Sequence, residues 1–137
     1  MAAGDYTDPK WDTADVVILI DSKQPELYAT GDVFTATYDS DNVTISADIK
    51  GHGITVINHN GSATVTVNVS ALDTIWHDFL VDHDPGKGHT IDIMTPVEHL
   101  HTNSAHLVKM PDMNSGNEAP TRALQFKTPT LVAEPAA

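Results

Sequence analysis

Residues 60–80 read NGSATVTVNVSALDTIWHDFL, and the fold turns on how this stretch is read. Ala63, Val65, Val67 and Val69 alternate with Thr64, Thr66 and Asn68, the two-residue period of a strand with one apolar and one polar face. The polar positions hold no Lys, Arg or Glu. After Ser70 the rhythm changes. Leu72, Ile75, Trp76, Phe79 and Leu80 recur at the spacing that lays one apolar stripe along a helix. Ser70 is placed to cap that helix, and Asp73 three positions on completes a variant of the capping box. So large a stripe is expected to pack on a sheet. Ahead of the strand, Asn60-Gly61 is the strongest local signal for a hairpin.

The flanking segments extend the pattern. Val16 to Ile20 form a short apolar run, followed by a Pro-containing turn. GDVFTATYDSDNVTISADI reads as two strands around a turn at residues 39–42, with Val43, Ile45, Ala47 and Ile49 facing one way and Thr44, Ser46 and Asp48 the other. A short β-branched strand is expected near residues 54–57. HTIDIMTPV alternates again, and SAHLVKM and TRALQFKTPTL read as two further strands joined by a polar loop at 111–120. Residues 1–14 read as a flexible arm and 132–137 as a mobile tail, leaving 15–131 as one domain. The expected class is mainly β: an antiparallel sandwich or half-open barrel with one flanking α-helix.

Composition narrows the function. The chain has 137 residues, enough for one domain with an apolar core. Its formal charge of −12 argues against a nucleic-acid binder, which needs a basic face. With no cysteine, disulfides and thiolate chemistry are excluded. No apolar run approaches a membrane span, and the acidic N-terminus is unlike a secretory signal, so no membrane partner is expected. The motifs NVT, NGS and NVS match a glycosylation pattern but read as ordinary turn and strand residues.

Catalytic constellations are sparse. His99 and His101 share a strand face, and His106 lies within reach along the chain, which allows a metal-dependent β-barrel enzyme as a rival reading. The order of the pieces differs from a double-stranded β-helix metal site, and Asn103-Ser104 looks like a turn, so solvated histidines are favoured and no metal or cofactor is expected. His52, His59, His77, His83 and His89 read as turn or helix-surface residues. Asp39/Asp41 and Asp82/Asp84 lack the spacing of a calcium loop. No serine has the flanking glycines of a nucleophile elbow. A third reading is a monomeric sandwich, a decoration or carbohydrate-binding module.

With the strands placed, GDVFTATYDSDNVTISADIKGHGITVINHNGSATVTVNVSALDTIWHDFL resembles the tail tube (major tail) proteins of long-tailed bacteriophages. It shows a G-D-V strand, a Y-D-x-D-x-V-T segment, a glycine-containing stretch, a T-V-T strand and a helix opening on Ser. HLVKMPDMNSGNEAPTRALQFKTPTL is similar to the family's closing pair, and the matching stretches run over about residues 16–131. GHTIDIMTPVEHLHTNSAHLV departs from the pattern in its wealth of histidine.

The resemblance implies a non-enzymatic virion protein, made late and assembled in the host cytoplasm. Its copies would form stacked hexameric rings, a conduit for DNA ejection. Its partners would be further copies of itself, tail terminator, tape measure, baseplate or tip proteins, and a sheath if the tail contracts. DNA would pass without specific binding. Thr44, Ser46, Asp48, Thr64, Thr66 and Asn68 are the candidates for the bore. Leu72, Ile75, Trp76, Phe79 and Leu80 would pack the helix. Contacts between rings are expected at Gly51, His52, Gly53, Asn58, His59 and Asn60, and in the arms. A bore for DNA should carry no cations that would hold phosphates.

Overall fold

The computed structural model describes residues 11–29, 31–81 and 86–136. Among them it has strands β1 (Val17–Ile20), β2 (Phe34–Tyr38), β3 (Val43–Ala47), β4 (Gly53–Ile57) and β5 (Ala63–Ser70), then helix α1 (His77–Val81). Strands β6 (His89–Met94), β7 (Glu98–Leu107), β8 (Thr121–Thr128) and β9 (Val132–Pro135) follow. The fold is mainly antiparallel β with an open sheet, as the alternation predicts. The main sheet runs β1-β6-β7-β8-β5-β2, with β9 also on β7; β3 and β4 pair only with each other.

Strand β7 belongs to two leaves. Its early residues pair with β6 on one side and β9 on the other, while His106 and Leu107 pair with β8. Between them the register slips: His89 faces Ala105 but Ile91 faces Thr102, so β7 carries an extra residue at Asn103-Ser104. Such a bulge bends its strand. Asn103 and Ser104 therefore lie within a strand, not in the turn their composition suggests.

Both leaves feed one core. Ile18, Ile20, Ile91 and Ile93 come from the first leaf, and Val65, Val67, Val69, Leu124 and Phe126 from the second. Phe79 of α1 stands edge-on to Phe126, with ring centroids 5.9 Å apart, and to His89 of β6, 5.1 Å away. Each leaf buries one face; the outer face of the second is largely polar, whereas that of the first mixes Asp92, His99 and His101 with Val17, Leu19 and Met94.

Several expectations are corrected. Asn60-Gly61 does not turn a hairpin: β5 pairs with β2 and β8, and residues 58–62 form a connection. The Asn58 and Asn60 side chains accept from the amides two residues on, at 2.9 and 3.1 Å, so local polar turns replace a tight reversal. The actual hairpin turn lies between β3 and β4, where Gly51 takes φ 84°.

The helix starts later than its stripe. Ser70 is still in β5 opposite Thr121, and the Ala71 amide donates to the Pro120 carbonyl, which keeps the chain on the sheet. The Asp73 carboxylate accepts from the Glu26 and Leu27 amides, both at 2.6 Å, and from Ile75 at 2.8 Å. It ties down a distant loop instead of closing a capping box. Ile75, Trp76 and Phe79 are buried, but Leu72 is 70% and Leu80 46% exposed, because only one short turn of helix remains to aim them.

The C-terminal segment expected to be a mobile tail is β9, in register with β7 from Glu98↔Pro135 to His101↔Val132. Residues 1–10 of the expected N-terminal arm, together with His83, Asp82 and Asp84, lie outside the described residues. Thr13 and Ala14 of that arm, with Asp15, form a 3-10 turn capped by Asp12.

Candidate functional site

The polar face of the second leaf runs across four strands. Along β5 the valines are fully buried while Thr64, Thr66, Asn68 and Ser70 point the other way. Register places Thr37 and Thr35 of β2 beside Thr64 and Thr66, and Lys127 and Gln125 of β8 on their other side. His106 of β7 faces Lys127. Two rows result: Thr37–Thr64–Lys127–His106 and Thr35–Thr66–Gln125. Thr64 Oγ1 donates to Asp39 Oδ1 at 3.0 Å, and Asn68 Nδ2 to the Asp32 carbonyl at 2.9 Å. The chain around 109–114 borders one end, forming a groove of about 420 Å³ with Thr66, Thr121 and Gln125.

The expectation of a face without bases holds for β5 but not for the leaf, since Lys127 stands on it. The signal was legible: in TRALQFKT, Leu124 and Phe126 alternate with Gln125 and Lys127. Thr35 and Thr37 were equally readable from VFTATY. What the alternation does not say is that β2, β5 and β8 lie side by side.

The remaining bore candidates are elsewhere. Thr44, Ser46 and Asp48 belong to the β3–β4 ribbon, every residue of which is exposed. Their face of the ribbon is shared with Val56 and Ile54, which stand opposite Thr44 and Ser46. The other face carries Val43, Ile45 and Ile57. No other element of the described residues packs extensively against either strand. At the tip, Asp48 organises the turn: its Oδ1 accepts from the amides of His52 and Lys50, both 2.8 Å, and its Oδ2 lies 3.0 Å from His52 Nδ1. The His52 amide above all, with the His52 ring and the Lys50 and Gly51 amides, holds the Asp48 carboxyl below its ordinary pKa. The six inter-ring candidates divide accordingly. Gly51, His52 and Gly53 are at the tip; Asn58, His59 and Asn60 are at the base, where the Asn58 amide donates to the Asn42 carbonyl and Asn60 Nδ2 to Ser40 Oγ.

Among the described residues the histidines do not converge. His99 and His101 share the outer face of the first leaf, their rings 5.2 Å apart. Each meets a carboxylate diagonally: His99 Nε2 is 3.4 Å from Asp92, and His101 Nε2 is 3.7 Å from Glu134. His106 is beyond the bulge on the other leaf. Among the described residues no three His, Asp or Glu are grouped to hold a metal ion. His89, expected at the surface, is buried in β6 between Phe79 and Phe126. Its Nδ1 lies 2.6 Å from Asp21 Oδ2, in a two-residue turn where Asp21 and Ser22 have φ 52° and 67°. Partial burial would raise the Asp21 pKa; the bonds to His89 and the Thr90 amide, with the charges of His89 and Lys87, outweigh it and lower it. That arrangement joins β1 to β6 and serves the core.

No family model matches the chain, and no curated protein matches it in sequence. Solved structures do match in fold. A chain of the tube-terminating cap of the anti-feeding prophage superposes with a TM-score of 0.66 at 9% identity, covering 96% of this chain and 95% of that one. A chain of the sheath–tube complex of the extracellular contractile injection system PVC, in its extended state, gives 0.63 at 10% identity over 99% of both chains. A chain of that system's sheath/tube terminator gives 0.62 at 11%, over 96% and 99%. The open β architecture is thus a fold found in tube and terminator assemblies of contractile injection systems.

Proposed function

We propose that this chain is a non-enzymatic structural subunit of a tail tube or its terminus. Copies join edge to edge into closed rings, hexameric by analogy with the phage family, and the rings stack into a conduit. The observation that carries this reading is the pairing of two features in a fold shared with tube assemblies. One is a leaf whose inner face is a continuous apolar core and whose outer face is hydroxyl and amide. The other is an apolar ribbon that its own body leaves uncovered.

The threonine face lines the bore. Thr35, Thr37, Thr64, Thr66 and Gln125 offer short neutral groups that hold passing polymer weakly, and exposed strand edges are the natural joints between subunits. Lys127 adds one cation per copy, with Asp39 beside the same row. A bore lined in this way suits DNA ejection less clearly than a lining free of bases; replacing Lys127 by Glu would speed the passage of a polyanion and leave assembly intact. The sheath and terminator that accompany the structural neighbours are the classes of partner expected outside and at the end of such a tube.

Negative-stain microscopy of concentrated protein tests the reading. Rings or tubes are expected, more of them at moderate than at low salt, because screening relieves repulsion between copies of net charge −12. Protein that remains monomeric at every concentration and salt would overturn it.

A further inference from the structure

We infer that Asn60-Gly61 is a site of covalent self-modification. The Gly61 nitrogen cyclises onto the Asn60 side chain, converts it to aspartate and isoaspartate, and so loosens the root of the β3–β4 ribbon. This chemistry is independent of the proposed assembly.

The pair is the strongest hairpin signal in the sequence, yet the fold makes no hairpin of it. Nor does the backbone require a glycine there. Positive φ among the described glycines is confined to Gly31 and Gly51, and a Cβ on Gly61 would meet nothing within 4 Å. What the missing Cβ leaves is an unshielded backbone nitrogen beside a side-chain amide. Among the described residues no hydrogen bond occupies the Gly61 amide. Asn60 is exposed, on a groove of about 560 Å³ that Tyr38, Ser40 and His59 also line, so water reaches it. Its Oδ1 accepts from the Ser62 amide at 3.1 Å, which folds the side-chain amide back over the Gly61 peptide.

The step is a ring closure within one chain, which needs no encounter between molecules. The Gly61 nitrogen loses its proton and attacks Asn60 Cγ. The new N–C bond forms, the Cγ–Nδ2 bond breaks, and Nδ2 leaves as ammonia with a proton from water. Water then opens the cyclic imide. Cleavage between Cγ and nitrogen gives an aspartyl residue. Cleavage at the backbone carbonyl gives isoaspartate, whose main chain runs through Cγ and is one methylene longer. The sum is amide plus water to acid plus ammonia, with nothing oxidised or reduced.

The other described asparagines each lack a requirement. Asn42 and Asn68 precede β-branched valines, and Asn68 sits in the β5 ladder with its Nδ2 on the Asp32 carbonyl. Asn103 lies within β7, and Asn114 Oδ1 is held by Arg122. Asn58 and Asn117 precede His59 and Glu118, whose side chains shield the attacking nitrogen.

The two sides of the ribbon's root meet at this pair. Asn60 Nδ2 donates to Ser40 Oγ at 3.2 Å, the Asp39 amide to the Ser62 carbonyl at 3.0 Å, and the Leu131 amide to the Gly61 carbonyl at 3.2 Å. Conversion removes the first donor and sets a carboxylate against the turn that carries Asp39 and Asp41. The longer isoaspartyl link also moves Gly61 and Ser62 out of register with Leu131 and Asp39.

The test uses dilute full-length protein, held in mildly alkaline buffer at physiological temperature and sampled over days. Trypsin releases residues 51–87 as one peptide, because no Lys or Arg lies between Lys50 and Lys87. Fragmentation should place the amide-to-acid mass change at Asn60, about tenfold faster than at any other asparagine. Isoaspartyl methyltransferase should label the product. Gly61→Ala, which the open space accepts, should slow conversion about tenfold. Asn60→Gln, whose longer side chain closes the ring poorly, should stay intact. Amide hydrogen exchange at Leu131 and Asp39 should quicken in the aged protein and not in either aged variant.

An Asn60 that stays intact over this period, or converts no faster than the other asparagines, overturns the site. Gly61→Ala converting as fast as the unsubstituted protein overturns the Gly61 nitrogen as nucleophile. Conversion with unchanged exchange at Leu131 and Asp39 overturns the loosening of the root.

Discussion

Strands β3 and β5 use the same small set of residues, VTISA in one and ATVTVNVS in the other, yet every residue of β3 is exposed whereas Ala63, Val65, Val67 and Val69 are fully buried. Both alternate, and both are strands with antiparallel partners. The difference is in the neighbours. β5 lies between β2 and β8, beneath the first leaf and α1; among the described residues β3 pairs with β4 alone. Alternation therefore encodes a pleated strand and its two faces, but not which face will be covered, or whether the cover comes from the same chain. In β5 the fold supplies the cover. In the ribbon the proposed stacking of rings gives that task to another copy.

That contrast can be broken most severely in the core. Val67→Asp would bury an unpaired charge and should abolish cooperative folding, and Phe126→Ala should cost about 3–5 kcal/mol in chemical denaturation. Ile45→Asp on the ribbon should leave the monomer's stability within about 0.5 kcal/mol, as exposed substitutions do. A large loss of monomer stability on changing Ile45 would mean that the ribbon packs on its own body.

Next in size is the carboxylate that anchors a loop. Asp73→Ala leaves the partly buried amides of Glu26 and Leu27 and the buried amide of Ile75 without their acceptor and should cost about 2–3 kcal/mol, read from the denaturation midpoint. Asp48→Ala at the ribbon tip removes a similar set of bonds, but in water. It should leave the global midpoint unchanged while speeding amide exchange at Lys50 and His52.

Strand β9 falls between the two extremes, paired along its backbone yet exposed in every side chain. Truncation after Leu131 should cost about 1–2 kcal/mol, a few edge hydrogen bonds without core contacts. Amide exchange on the strand should place it between the ribbon and β5.

The smallest effect is on pH dependence. The Asp21 carboxyl has a lowered pKa in the folded state, so its contribution is present above the unfolded value, about 3.9, and is lost as pH falls through the folded value. Its side chain is 40% exposed, so solvent screening keeps the contribution below about 1 kcal/mol. Asp21→Asn should flatten the acid limb of a stability–pH curve by that amount; an unchanged curve would place the acid sensitivity in other carboxylates.

The candidate site was partly legible. The outward set Thr64, Thr66 and Asn68 follows from the period of β5 alone, and Ile75, Trp76 and Phe79 follow from apolar spacing. Thr44, Ser46 and Asp48 show the same alternation, and nothing local separates them from the β5 set. Lys127 was readable as an outward residue of its own strand, but its place beside Thr64 depends on a pairing between segments far apart in sequence. His99, His101 and His106 looked like neighbours along the chain; the bulge at Asn103-Ser104 sends the third to another leaf.

What the amino-acid sequence determined by itself is what short-range sterics and burial can encode: strands by period two, their polar and apolar faces, a mainly β class, and an acidic, cysteine-free chain. Only the tertiary structure decided the partners of each strand. It set aside the apparent hairpin at Asn60-Gly61, shortened the helix to one turn, made a strand of the tail and left one ribbon uncovered. The physical reason is that a strand is satisfied by any edge in register, so the choice among edges is made by the core that the whole chain can enclose.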